Sequence, residues 1–454
     1  MKDTALAARI AAIEQTNFTQ IPGPNPLLVP GESGRWDDGM LEMCDILKDD
    51  GKYYLYYHAT GAGESYRIGV AVADSPLGPF QKYGDRPILD LCGFGGGDND
   101  RYIACGTVFK ESTDSYYLFY SLQQRNDELN YYIGVATASH PLGPWKKSEK
   151  NPIMTNFGYV GGVTKRGGKY YMFNEYPTRV QACDYGHISY AVADHPEGPW
   201  EPCREAPVMP VEDFGTWDDA GYSESNVSYD GTLFHMFYGG AKTHANRLLS
   251  QESIGYAYST DGKQFIKYGR NPVARREAMA FGAAMAECCF LAEYPYIYVY
   301  HTLRYTEPWY RPDAEKFPRM EHIGVQVLSV SDRFTVSYPV LSLDTLAGDG
   351  QEVYDTAKLP LSVENADRYS LTVSATYPGG SRTGNVTVSL YGSTDGKTFD
   401  TEPLAVFLLP GRAGERVQKT FPGDLCTRFL RVAVKGYPGA TSITDVKVSI
   451  TLKN

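Results

Sequence analysis

The sequence reads as all-β, a five-bladed β-propeller followed by a C-terminal β-sandwich, and three observations carry that reading. One phrase recurs as RIGVAVADSPLGPF, YIGVATASHPLGPW, HISYAVADHPEGPW, SIGYAYSTDGKQF and HIGVQVLSVSDRF, its apolar strand starting at Ile68, Ile133, Ile188, Ile254 and Ile323. Internal repeats of strand-type phrases mark radial architectures. Each copy follows an aromatic strand, such as YYLYY at Tyr53, YYLFY at Tyr116 and YYMFN at Tyr170, and alternation at period two is the spacing of strands. The texture then changes after Leu346, where runs such as YSLTVSATY and RFLRVAVKG alternate between Gly, Pro and Asp turns. That pattern fits a single sandwich of about a hundred residues.

Taken in order, residues 1–24 are a helical lead-in, because the Ala/Leu/Ile spacing of MKDTALAARIAAIEQ suits a short amphipathic helix. The propeller is expected over 25–345, with blades from Trp36 to Tyr83, Phe94 to Ser148, Phe157 to Cys203, Trp217 to Tyr268 and Phe281 to Tyr338. Asn25-Pro26-Leu27-Leu28 matches the steps Pro87-Ile88, Pro152-Ile153, Pro207-Val208 and Pro272-Val273, so it is expected to close the ring beside the last blade. AGDGQE reads as a linker into the sandwich, 346–454, which carries no cluster of His, Cys or carboxylates. Packing is its expected duty, with carbohydrate binding as the alternative.

Composition removes several function classes. The net charge of −11 over 454 residues opposes a phosphate-tracking surface, so no nucleic-acid partner is expected. No apolar run is long enough to span a membrane. The first residues lack the basic, apolar, small-residue order of a secretory signal, which makes the cytoplasm the expected compartment. The eight cysteines include no C-x-x-C spacing and read as buried thiols. No spacing asks for a cofactor or metal, and a structural calcium in the propeller channel is left open.

The loops between each aromatic strand and the following apolar strand are long and polar, and gather at one mouth of the ring, where binding usually resides. Counting twelve or thirteen residues back from Leu55, Met236 and Val299 reaches Glu42, Glu224 and Glu287, a carboxylate at one equivalent rim position in three blades. The same count in blades two and three lands near Gly106 and Val160. Trp36-Asp37-Asp38 and Trp217-Asp218-Asp219 stand just upstream, and one aspartate of each pair reads as a turn or cap residue.

The five repeats, the Tyr-Tyr-Leu-x-Tyr strand, the AVADSPLGPF phrase and the Pro-Ile/Leu step resemble the five-bladed propeller glycoside hydrolases of families 43 and 32, over roughly residues 25–345. The resemblance implies a glycosidase with a carbohydrate substrate. It also implies a carboxylate at the start of blade one as base or nucleophile, an aspartate in blade three that tunes and orients, and a glutamate acid at the start of blade four. Glu42 and Glu224 fall at the first and last places, and Asp38 competes with Glu42 because no Asn-Asp-Pro or Ala-Asp-Pro phrase is present. Blade three shows Tyr159-Val160-Gly161-Gly162 instead of an aspartate, leaving Glu287, Asp98, Asp100 or Glu175 for that role.

Glycoside cleavage needs one carboxyl group protonated and a second ionised, and converging glutamates supply both. Trp36, Trp217, Tyr222 and Trp309 are expected to stack on sugar rings near Asp219, with Arg67, Arg101, Arg304, His58, His244 and His301 meeting hydroxyls or an anionic group. Long loops in blades four and five favour a pocket that takes chain ends or small oligosaccharides. The alternatives are a phosphorylase or transferase using Lys242, His244, Arg247 and Arg304 on phosphate, and a non-catalytic glycan-binding protein.

Overall fold

The computed structural model describes residues 2–61, 65–91, 100–124, 127–176, 186–203, 208–210, 214–243, 251–280, 284–305, 320–355, 358–379, 384–438 and 442–454. Five sheets form the propeller, each built from the axis outward. Blade one comprises Leu41–Asp49, Lys52–Ala59, Arg67–Ala73 and Gln81–Lys82, and blade two comprises Asp100–Ser112, Ser115–Gln124 and Asp127–Ala138 with two short outer strands. Blade three runs Tyr159–Arg166, Lys169–Tyr176, His187–Ala193 and Glu201–Cys203. Blade four runs Gly221–Tyr229, Phe234–Ala241, Gln251–Ser259 and Ile266–Lys267. Blade five has Ala284–Glu293, Tyr296–Tyr305 and Met320–Ser329. The first strand of each blade touches that of the next, and blade five returns to blade one. Tyr56, Tyr120, Tyr238 and Tyr300 of the second strands are fully buried, since blades stack on both faces of each sheet and large rings fill the wedge between them.

The outer edge of blade five comes from the start of the chain. Thr19–Pro22 pairs antiparallel with Met320–Ser329. Leu28 then bridges Ile323 as Leu89 bridges Ile68, Met209 bridges Ile188 and Ala274 bridges Ile254. The Asn25–Leu28 step thus gives blade five what the other blades take from the residues that follow them. The helix spans Lys2–Gln15, and Ile10 and Ile13 pack against the core of blades four and five. The propeller sheets therefore begin at Thr19, inside the stretch read as lead-in. No described helix is long and apolar enough to cross a membrane.

Two four-stranded sheets make the sandwich. One holds Thr335–Leu346, Ile443–Lys453, Arg368–Thr376 and Arg416–Asp424, and the other Leu361–Ser362, Phe429–Gly436, Gly384–Ser393 and Ala405–Gly411. Thr335–Leu346 pairs with Ile443–Lys453, so it belongs to the sandwich and not, as the repeat pattern suggested, to blade five. Its alternation, with Val336 and Tyr338 buried, would serve either sheet, and only pairing distinguishes them. The seam with the propeller is hydrogen bonded: the Leu359 N–H donates to Asn25 O at 2.8 Å, and Asn365 Nδ2 donates to Gln20 O at 2.9 Å. A continuous apolar core runs from blades one and five into the sandwich.

Candidate active site

Near the axis, the ladder between first and second strands slips in every blade. The slips fall between Met43 and Asp45, Ala104 and Thr107, Val160 and Gly162, Tyr222 and Ser225, and Ala286 and Cys288. A bulge re-aims the side chains around it. Cys105 and Glu287 sit in these slips at φ 51° and 22°, left-handed values that non-glycine residues hold only where their surroundings enforce them. Glu224 also lies within its slip, whereas Glu42 stays in the ladder opposite His58. The three glutamates are therefore not equivalent in register, as the count of thirteen against twelve already recorded.

Each oxygen of Glu42 is engaged. His58 Nε2 lies 2.5 Å from Oε2, while Oε1 accepts from Tyr66 Oη at 3.3 Å and Arg304 Nη2 at 3.4 Å. The Cys105 N–H donates to His58 Nδ1 at 3.2 Å, which leaves the ring hydrogen on Nε2, pointing at Glu42. Arg304 also donates to Glu287 Oε1 at 2.8 Å and, through Nε, to Glu321 Oε1 at 2.6 Å. Glu287 Oε2 is buried without a hydrogen-bond partner. Burial would raise the Glu42 carboxyl, but hydrogen bonds with Glu321 and His58 and the Arg304 charge hold it well below the usual range.

Glu224 has the opposite surroundings. Burial and the nearby Glu287 charge push it up to about 7, against a hydrogen bond from Cys105 Sγ to Oε1 at 2.9 Å. Glu175, at the end of the second strand of blade three, is raised well above its usual range by burial and by the charges of Glu224 and Glu287, and it hydrogen-bonds Glu224. Below them, Asp45 accepts from Ile46 N, Val108 N and Thr107 Oγ1, each at 2.8 Å, and from Asn226 Nδ2 at 3.3 Å, which pins three inner strands together. Burial pushes Asp45 up to about 6. Among the described residues, no group of three or more His, Cys, Asp or Glu is arranged to hold a metal.

Of the residues singled out from sequence, Glu42, Glu175, Glu224, Glu287, Arg304 and His58 converge. His58 is buried beneath Glu42 and orients it, so it is not a surface for sugar hydroxyls. Several others serve the frame. Asp38 and Asp219 each accept a loop N–H, from Gly34 and Gly215, both at 2.7 Å. Trp36 stacks on Tyr57 with centroids 5.9 Å apart and Trp217 on Tyr238 at 5.8 Å. Tyr222 is fully buried with its hydroxyl on Pro210 O, so it offers no face to a sugar. His301 is buried against Gln326, with burial lowering it to about 4, and Arg67 is paired with Asp90 at 2.7 Å. Arg101 reaches Gln123 at 3.1 Å. Asp98, His244, Arg247, Trp309 and the side chain of Asp100 lie outside the described residues.

The sequence reading missed Glu321, Cys105, Asp45 and a group of half-buried tyrosines. Tyr66 meets His58 edge-on at 4.8 Å, the hydroxyls of Tyr102 and Tyr159 are 2.9 Å apart, and Tyr131 packs on Tyr159 at 4.8 Å. Their only advance signal was a position at the start of an inner strand or in a top loop.

No family model matches the chain. It is 26% identical over 188 residues to a xylosidase/arabinosidase of Bacteroides ovatus, covering 36% of this chain and 56% of that protein. It is 38% identical over 79 residues to a beta-xylosidase of Xylanibacter ruminicola, covering 16% of this chain and 24% of the relative. A solved structure described as a glycoside hydrolase superposes with a TM-score of 0.51 at 11% identity, over 71% of this chain and 94% of its own. The chain thus matches about half or less of the length of these curated relatives, and it resembles the propeller glycosidases in both phrase and fold.

Proposed function

We propose that the chain is a glycoside hydrolase that removes sugars from small oligosaccharides or chain ends. The observation that carries this reading is the pair of carboxyl groups with opposed proton affinity, Glu42 held ionised and Glu224 pushed up to about 7. Glu224 donates its proton to the leaving oxygen as the glycosidic bond breaks, and Glu42 acts on the anomeric carbon, directly or through a water it deprotonates. Glu175 takes the tuning role that blade three lacks on its inner strand, since burial and the neighbouring charges keep it protonated and hydrogen-bonded beside Glu224. A surplus of carboxylates favours the positive charge that develops on the sugar ring. The tyrosines Tyr66, Tyr102 and Tyr159 are the candidate ring platforms. The names of the curated relatives make xyloside and arabinofuranoside the first substrates to try.

Arg304 is already shared among three glutamates, so it offers little to inorganic phosphate, and turnover is expected without it. Glu224→Gln should lose on the order of 10²–10⁴ in rate on an alkyl glycoside and far less on one with an activated phenolate leaving group. Equal losses on both substrates would remove Glu224 from the acid role. Sugar binding in calorimetry with no sugar released by the wild type would overturn the hydrolase reading.

A further inference from the structure

The sandwich holds a cleft of ≈ 490 Å³ lined by Tyr354, Asp355, Lys358, Lys397, Phe399 and Arg431 over an apolar floor. Arg431 sets its character. Its guanidinium lies 4.6 Å from the ring centre of Phe399, 4.9 Å from Tyr354 and 5.2 Å from Tyr391. Its Nε is buried without a hydrogen-bond partner. By contrast, Arg428 on the same sheet is paired with Glu364 at 2.9 Å, and Arg304 at the axis holds three glutamates. The nearby Glu352 accepts instead from Tyr391 and Ser389. A cation faced by aromatic rings and with no ion-pair partner among the described residues is left short of an anion, and a planar guanidinium matches a carboxylate in two-point geometry.

Lys358 adds to the demand. It spends one donor on Pro26 O at 2.8 Å, and burial lowers its pKa against the opposing pull of the Asp355 charge, so a further anion beside it would be stabilising. Asp355 is the one acid among the cleft residues named above against three cations, on a chain of net charge −11. Tyr354 is 42% exposed and Phe399 half-buried, which leaves apolar ring surface open beside the charges. The volume is ample for a sugar ring.

We propose that this cleft is a second ligand site that takes a uronic acid, its carboxylate on Arg431 and Lys358 and its apolar ring face on Tyr354 and Phe399. The choice of a sugar acid over another ring acid rests on the glycosidase reading; the charge and shape of the cleft do not. The acid-rich axis repels such a ligand, so the two sites select opposite chemistries.

Calorimetry on the full chain tests this with D-glucuronic acid, D-xylose, benzoate and inorganic phosphate as probes. Glucuronic acid should bind at one site per chain, at least about tenfold more weakly in Arg431→Ala, with hydrolysis of aryl xylosides unchanged in that variant. Lys397→Glu, a charge reversal at an exposed residue, should weaken the same binding severalfold. Absence of saturable glucuronic acid binding, or binding that ignores both substitutions, overturns the proposal. Displacement by benzoate or phosphate as effective as by glucuronic acid itself overturns the sugar assignment. A chain that binds glucuronic acid through Arg431 but hydrolyses no glycoside keeps the cleft and sinks the hydrolase, and the reverse result does the opposite.

Discussion

Blades one and four share a frame. Both stack a tryptophan of the Trp-Asp-Asp motif on a second-strand tyrosine. In both, the first aspartate is buried against a lysine of the outermost strand, Asp37 with Lys82 at 2.6 Å and Asp218 with Lys267 at 2.7 Å. Yet Glu42 is held ionised and Glu224 is pushed toward neutrality. The difference lies in what faces each glutamate. His58 stands opposite Glu42, whereas Gly239 faces the slip that holds Glu224, and a Cβ there would come within 2.2 Å of Ser223 Oγ. Blade four therefore has no room for an orienting histidine, and its glutamate is left with a thiol and three other carboxyl groups. A duplicated frame can carry two different proton states because the frame contacts are remote from the position that sets the charge.

If the frames are equivalent, they should fail alike. Removing one partner of a buried ion pair costs about 3–5 kcal/mol, so Asp37→Ala and Asp218→Ala should each lower stability by that order in denaturant titration. A large loss in one and none in the other would break the parallel. The next effect separates the glutamates. A carboxyl raised from 4.5 to about 7 makes the folded state bind more protons than the unfolded state between those values, so its contribution to stability falls as pH rises through that window. Glu224→Gln should therefore be more stable than wild type at pH 8, by on the order of 2–3 kcal/mol, with the difference gone at pH 4. Glu42, held below its usual range, has the opposite sign: Glu42→Gln should be less stable than wild type at pH 8.

The smallest effect concerns the contact between the two glutamates. Cys105 gives its backbone N–H to His58, which orients Glu42, and its thiol to Glu224. Activity should fall as pH rises past about 7, where Glu224 loses its proton. Glu287 and Glu42 also face Glu224 and keep that limb high, with Glu175 hydrogen-bonded beside it. Loss of one hydrogen bond to the ionised acid, in Cys105→Ala, should move the limb up by roughly half to one unit, and Cys105→Ser should restore it. An unmoved limb would show that the thiol contact does not tune the acid.

Five repeats with period-two strands made the propeller legible, and Asn25–Leu28 revealed its closing role because it copied a step used by the other blades. The glutamates could be found by counting along the repeat. Arg304 and His58 stood out as polar residues near the mouth, but their pairing with Glu42, and Glu321 altogether, could not be read, since Arg304 and Glu321 meet Glu42 only across blades one and five. Trp36, Trp217 and Tyr222 looked like sugar platforms because of their size, but Tyr222 is fully buried and the half-buried Trp36 and Trp217 each lay a face on a second-strand tyrosine. Tyr66, Tyr102 and Tyr159 escaped notice among 36 tyrosines, Tyr66 because it stands in a loop and Tyr102 and Tyr159 because their placement depends on nearby slips in register. The strand Thr335–Leu346 was misplaced for a related reason, as its partner lies over a hundred residues away.

The closing of the ring by its earliest strand imposes a timetable on synthesis. Asn25 meets Val325 across 300 residues of chain. At the usual 5–20 residues per second the ribosome takes roughly 15–60 s to cover that distance. Until then the nascent chain carries four blades without a closed circle, and the third strand of blade five emerges with its outer edge bare. Such an edge is a template for pairing with another chain. The first thirty residues thus act late, as the cover for the last blade to be made.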